Sequence, residues 1–249
     1  MSALPPDGSF EKEFGYVERN CLEPRHSMRR AFDLIMPPES SKGINYLRVK
    51  DIGVKSLVNE IERGKLTGVV KISSKKFHSR GCLLLLSGRV FGVIYGDKSD
   101  ELPKPTAVAV YDVVSQLKDA QTAVMMYPLT EQIVIPLASL FVGYPVERHD
   151  DYTAADYLDY ILNWLLEKAG TATLAISESG RYPATTLAYI YNGYYCGCFN
   201  VDDVTFNTDI NSLRTRLKGA PKAVLEVSIL PAEFHEPAST LGLTLSAMF

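Results

Sequence analysis

Apolar residues at Val54, Leu57, Val58 and Ile61 follow the i, i+3, i+4, i+7 spacing of a single helical stripe, with Lys55, Glu60, Glu62 and Arg63 turned away from it. Gly64 is expected to close this helix in a left-handed conformation. Extended runs follow at Val69–Ile72, Cys82–Leu86 and Val90–Tyr95. The first pair is separated by the charged turn Lys75-Lys76-Phe77-His78-Ser79-Arg80, the second by Ser87-Gly88. A Ser-Gly pair between β-prone runs predicts a tight hairpin, because its turn needs positive φ. Val110, Val113, Val114 and Leu117 return to helical spacing, and Thr122–Tyr127 alternates as a strand. Pro136, read as a first-turn proline, leads Leu137, Leu140 and Phe141 into a last helix that stops at Gly143.

The same order of elements then recurs. Thr153 is placed to cap the amide of Asp156. Tyr157, Leu158, Ile161, Leu162, Leu165 and Leu166 form a wide apolar face that ends at Gly170. A meander with Asn192-Gly193 at its turn follows, then a helix through Ile210, Leu213 and Leu217, a strand over Ala223–Ile229, and Pro237 leading Leu241. Leu117-Lys-Asp-Ala-Gln-Thr-Ala-Val124 and Leu217-Lys-Gly-Ala-Pro-Lys-Ala-Val224 agree at five of eight positions. Thr67-Gly-Val-Val-Lys-Ile-Ser73 aligns with Thr171-Ala-Thr-Leu-Ala-Ile-Ser177, and Gly88 and Gly92 align with Gly193 and Gly197. The two later glycines predict a bulge or a close backbone approach. A period of about a hundred residues exceeds the roughly 20–50 of solenoids and predicts two domains side by side. The expected class is α+β: two tandem copies of an α-β-β-β-α-β-α unit with antiparallel sheets. Their expected limits are an N-terminal arm at 1–50, a first repeat at 51–144, a linker and helix start at 145–156, and a second repeat at 157–249.

The arm is punctuated by Pro5-Pro6, Pro37-Pro38 and Ser40-Ser41, with a short amphipathic helix expected over Met28–Met36. Gly143–Asp151 reads as the connection between repeats. With 46% hydrophobic residues in 249, the chain can bury two modest cores. A net charge of −3 gives no overall basic surplus for nucleic acid. The opening residues lack a secretory pattern, and the apolar run Ile133–Val142 is too short to span a bilayer, so a cytoplasmic protein without membrane insertion is expected. Cys21, Cys82, Cys196 and Cys198 fit neither a disulfide framework nor a zinc site and read as reduced thiols.

The succession of helix, Thr67-Gly-Val-Val-Lys-Ile, a strand ending Leu86-Ser-Gly88-Arg89-Val90, helix and strand resembles the PATAN-type module of PatA-like bacterial response regulators. The resemblance covers roughly residues 54–130, and residues 157–230 less fully, where Tyr194 replaces the arginine. It implies a bacterial signalling or motility adaptor that works by binding proteins, and it carries over no catalytic residue or cofactor.

The tyrosines Tyr182, Tyr189, Tyr191, Tyr194 and Tyr195 are the foremost partner-binding candidates, since tyrosine suits interfaces; the competing reading is that they complete the second core. Lys75, Lys76, Phe77, His78 and Arg80 mix positive charge with a ring, as an acidic or phosphate-bearing partner would want, or form a solvated tip. His149-Asp150-Asp151 reads as linker. No nucleophile elbow, phosphate loop or His-Glu-x-x-His motif occurs. The expected function is therefore a non-enzymatic regulatory adaptor, with a homodimer possible and no cofactor or metal. The alternatives are a roadblock-like scaffold for a small GTPase, or a small-molecule enzyme with its site between the repeats that uses Cys196, Cys198, His149 and the tyrosines.

Overall fold

The computed structural model describes residues 45–96, 106–146, 151–180, 184–231 and 242–249. In chain order these form β1 (Asn45–Arg48), α1 (Val49–Ile52), α2 (Val54–Arg63), β2 (Gly68–Ser74), β3 (Ser79–Leu86), β4 (Arg89–Gly96), α3 (Thr106–Leu117), β5 (Ala123–Pro128), α4 (Glu131–Val142) and β6 (Tyr144–Val146). There follow α5 (Ala154–Glu167), β7 (Ala172–Ser177), β8 (Thr186–Tyr191), β9 (Tyr194–Asn200), β10 (Thr205–Asn207), α6 (Ile210–Lys218), β11 (Val224–Ile229) and a 3-10 turn at Leu245–Met248. The class is α+β. One sheet has the order β1-β5-β2-β3-β4, the other β10-β9-β8-β7-β11-β6, and every pairing is antiparallel. The described residues divide into two compact units, one running from 45 to 134 and taking in 242–249, the other running from 135 to 231.

In the first unit Leu57, Val58 and Ile61 of α2 and Val110, Val113, Val114 and Leu117 of α3 pack on Val70, Ile72, Leu83, Leu85, Val124 and Met126 of the sheet. Each such side chain removed from water contributes roughly 1.5–3 kcal/mol. Leu84 is as buried as Leu83 and Leu85, so β3 is covered on both faces, as its uninterrupted leucine run predicts. In the second unit α5 and α6 cover Leu174, Ile176, Ala188, Ile190, Leu225 and Val227. Ser139 of α4 is bonded to the second sheet. Its hydroxyl accepts the Thr173 amide at 3.1 Å, and its carbonyl accepts the Ser228 hydroxyl at 2.6 Å.

Local details recur between the units. The hairpin turns have positive φ at both central residues, Ser87 and Gly88 in one, Asn192 and Gly193 in the other, which is the type I′ geometry. A register shift follows Leu84 opposite Gly92, and another follows Tyr189 opposite Gly197, so both later glycines stand at bulges. Thr67 Oγ1 accepts the Ser87 amide at 3.0 Å, and Thr171 Oγ1 accepts the Asn192 amide at 3.1 Å. The carbonyls of the same two threonines accept the amides of Leu129 and Leu230.

Several expectations need correction. Each sheet has a further strand ahead of its first long helix, β1 and β6, so the arm's end and part of the connection belong to the sheets. Tyr144–Val146 pairs with β11 and lies in the second unit. Pro136 sits within α4, which starts at Glu131; the Thr130 carbonyl accepts the Ile133 and Val134 amides there. Gly64 is right-handed, and the left-handed residue beyond α2 is Lys65, matched after α5 by Ala169. Residues 242–249 join the first unit: Val90 and Leu243 exchange two backbone bonds of 2.9 Å, Arg89 donates to the Gly242 carbonyl, and Leu245 is buried in the first core. The expected helices at Met28–Met36 and after Pro237 lie outside the described residues.

Candidate functional site

Strand alternation and the bulge separate the tyrosines. Tyr189 points away from the α5 and α6 side, is 1% exposed and stacks on Phe206 of β10, with ring centroids 6.5 Å apart. Gly197 makes room for this, since a Cβ there would meet the Phe206 ring at 2.4 Å. Tyr189 therefore serves the interior. Burial pushes its hydroxyl pKa upward, and nearby Cys198 adds to the shift. Tyr195, on the helix side, is half-buried against the second core and donates to the Asn207 carbonyl. Burial, then its hydrogen bond with the Cys198 thiol, raises its pKa. Tyr191 is half-buried, Tyr194 is 69% exposed, and Tyr182 and His149 lie outside the described residues.

Tyr194 occupies a fixed corner. The Asn192-Gly193 turn is pressed on the last turn of α5: a Cβ on Gly193 would lie 2.7 Å from Leu166 Cα and 2.9 Å from the Leu165 carbonyl oxygen. The Gly193 amide donates to the Gly170 carbonyl at 2.7 Å. Leu165 is buried, but Leu166, which sequence placed on the apolar face, is 51% exposed. With about 100° per residue, the stripe through Leu158, Ile161 and Leu165 leaves Leu166 well to one side of its centre, and that was the available signal. The result is an exposed ring and an exposed leucine on neighbouring, regularly structured backbone.

The basic turn is narrower than expected. Lys75, Lys76, Phe77 and His78 form it, whereas Ser79 and Arg80 open β3. The Phe77 amide donates to Ser74 Oγ at 3.3 Å, His78 is left-handed, and Lys76 Nζ lies 5.0 Å from the centroid of the 47%-exposed Phe77 ring.

An open polar groove of about 470 Å³, not anticipated from sequence, lies at the end of the second sheet. Glu178, Thr185, Asn200, Asp202, Asp203 and Arg216 line it. Arg216 pairs with Glu178 and donates to Thr186 Oγ1 at 3.2 Å, while Asn200 Oδ1 accepts the amides of Asp202 and Asp203. These residues come from separate stretches of chain, so no local motif announces them.

Cys82 and Cys198 are buried thiols and Cys196 is half-buried. Burial pushes the Cys82 thiol up to about 12 and raises the other two, keeping them protonated and poorly nucleophilic. Among the described residues no three His, Cys, Asp or Glu side chains are gathered to hold a metal ion, and no helix is long and apolar enough to cross a membrane. No family model, curated protein or solved structure matches the chain.

Proposed function

We propose that this chain is a non-enzymatic regulatory adaptor that binds a partner protein at the corner formed by Tyr194 and Leu166. The observation that carries the reading is their joint exposure on backbone locked by the Gly193 contact with α5. Side chains carried on fixed backbone spare association the cost of ordering that backbone, and tyrosine is among the residues that supply most of an interface's energy. The equivalent threonine bonds, type I′ turns and bulges support descent of the two units from one duplicated module. A bacterial signalling or motility setting and a cytoplasmic location rest on the PATAN-like resemblance and the sequence alone.

A photo-reactive phenylalanine analogue at position 194, with position 111 on α3 as an exposed control, tests the reading in the native host. The expected product is a discrete adduct formed from 194 and not from 111; a homodimer would appear as an adduct of twice the chain mass. The purified partner should then bind Tyr194→Ala and Leu166→Ala at least about tenfold more weakly, with both variants melting like the parent. Equal labelling from both positions, or unchanged affinity of the truncations, rejects this surface.

A further inference from the structure

The register of the first sheet brings one class of side chain to one end. Arg48 pairs opposite Ala123, Ala123 opposite Ser73, Ser73 opposite Arg80, and Arg80 opposite Gly96, so these positions share an edge of the sheet. The β2–β3 turn with Lys75 and Lys76 projects beyond it. The Lys50 amide donates to the Ala120 carbonyl, which brings Lys50 and the turn after Lys118 to the same end. Arg48, Lys50, Lys75, Lys76, Arg80 and Lys118 are all exposed there. None forms an ion pair with another described residue. The described acids at this end are Asp51 and Asp119. Residues 97–105, which continue the chain from Gly96, hold three acids and two lysines and leave the balance positive.

We propose that this end of the first sheet is a peripheral docking face for an anionic lipid bilayer, with Phe77 seated at headgroup depth. Each Lys or Arg near such a surface contributes about 1 kcal/mol, so six on one rim act together where one would not. The whole chain carries a net charge of −3, so the positive balance at this end is local and not a property of the chain as a whole.

Phe77 distinguishes a bilayer from other polyanions. Lys76 Nζ covers one face of its ring, which makes it a poor platform for stacking a nucleic-acid base. A ring at the interface with its ammonium kept in water is instead a stable membrane arrangement.

The test is co-sedimentation of the full chain with vesicles of phosphatidylcholine alone or mixed with phosphatidylglycerol. Binding is expected to the mixed vesicles only and should be lost as salt is raised. Lys75→Ala and Lys76→Ala should each lower partition about fivefold. Phe77→Ala should weaken binding while leaving its salt dependence unchanged, and all three variants should melt like the parent. Absence of binding to the mixed vesicles at low salt, equal binding to both types, or lysine variants that partition like the parent would overturn the proposal. So would displacement from mixed vesicles by a mixed-sequence oligonucleotide at equal phosphate concentration, which would reassign the rim to nucleic acid.

Discussion

The hydroxyl of Thr171 accepts the backbone amide of Asn192 at 3.1 Å, tying the β8–β9 turn to the residue that precedes β7. Thr171 is fully buried, and its carbonyl also accepts the Leu230 amide. Thr171→Val keeps the side-chain volume but removes this acceptor and leaves the turn amide without it. A loss of about 1–2 kcal/mol is expected in urea unfolding, and Thr67→Val should behave alike in the first unit. Unchanged midpoints for both variants would show that the recurring threonines are not structural ties.

Ala169 at φ +49 and Lys65 at φ +48 carry the left-handed turn after α5 and α2 on residues that have a Cβ. Glycine adopts this conformation without the steric cost, although it loses more entropy on folding. Ala169→Gly is therefore expected to stabilise the chain by about 0.5–1 kcal/mol, seen as a higher melting temperature. A lower melting temperature would mean that the Ala169 methyl group packs usefully.

Tyr189 and Tyr194 make opposite predictions. Tyr189→Ala removes a buried ring stacked on Phe206 and should cost about 3–5 kcal/mol in denaturant unfolding. Tyr194→Ala removes an exposed ring and should fall within about 0.5 kcal/mol of the parent. Equal losses would contradict the division of the tyrosines into core and surface.

Burial raises the Cys82 thiol from its ordinary 9.0 to about 12, with Lys71 partly opposing the shift. The unfolded chain ionises this thiol first, so its contribution to stability is complete below pH 9 and is lost as pH rises toward 12, with a slope of at most about 1.4 kcal/mol per pH unit. Cys82→Ala should lower stability at neutral pH and flatten the alkaline decline. A parent and variant with parallel profiles from pH 8 upward would exclude Cys82 as the source.

The helices and hairpins were legible because their signals are local: the stripe through Leu57, Val58 and Ile61 and the glycines at 88 and 193 fix period and turn type. The strands β1 and β6 were not, being short and, in β6, interrupted by Pro145, which an edge strand tolerates. Pro136 was misplaced because proline favours a first turn, while the Thr130 carbonyl starts the helix earlier. The tyrosine pattern could not separate Tyr189 from Tyr194, since the difference comes from Phe206 on a three-residue strand. The basic rim was legible only in its Lys75–Arg80 part, because Arg48 reaches it through strand pairing, and Lys50 and Lys118 through the backbone bond between Lys50 and Ala120.

The return of Leu243 to Val90 has a consequence for biosynthesis. Residues 135–231, with their own sheet and core, leave the ribosome before the segment that completes the first unit. Until residues 242–249 emerge, β4 lacks its bridge to Leu243 and the first core lacks Leu245. The half translated earlier is thus the half finished later, and its open strand edge is where a nascent-chain chaperone would be needed longest.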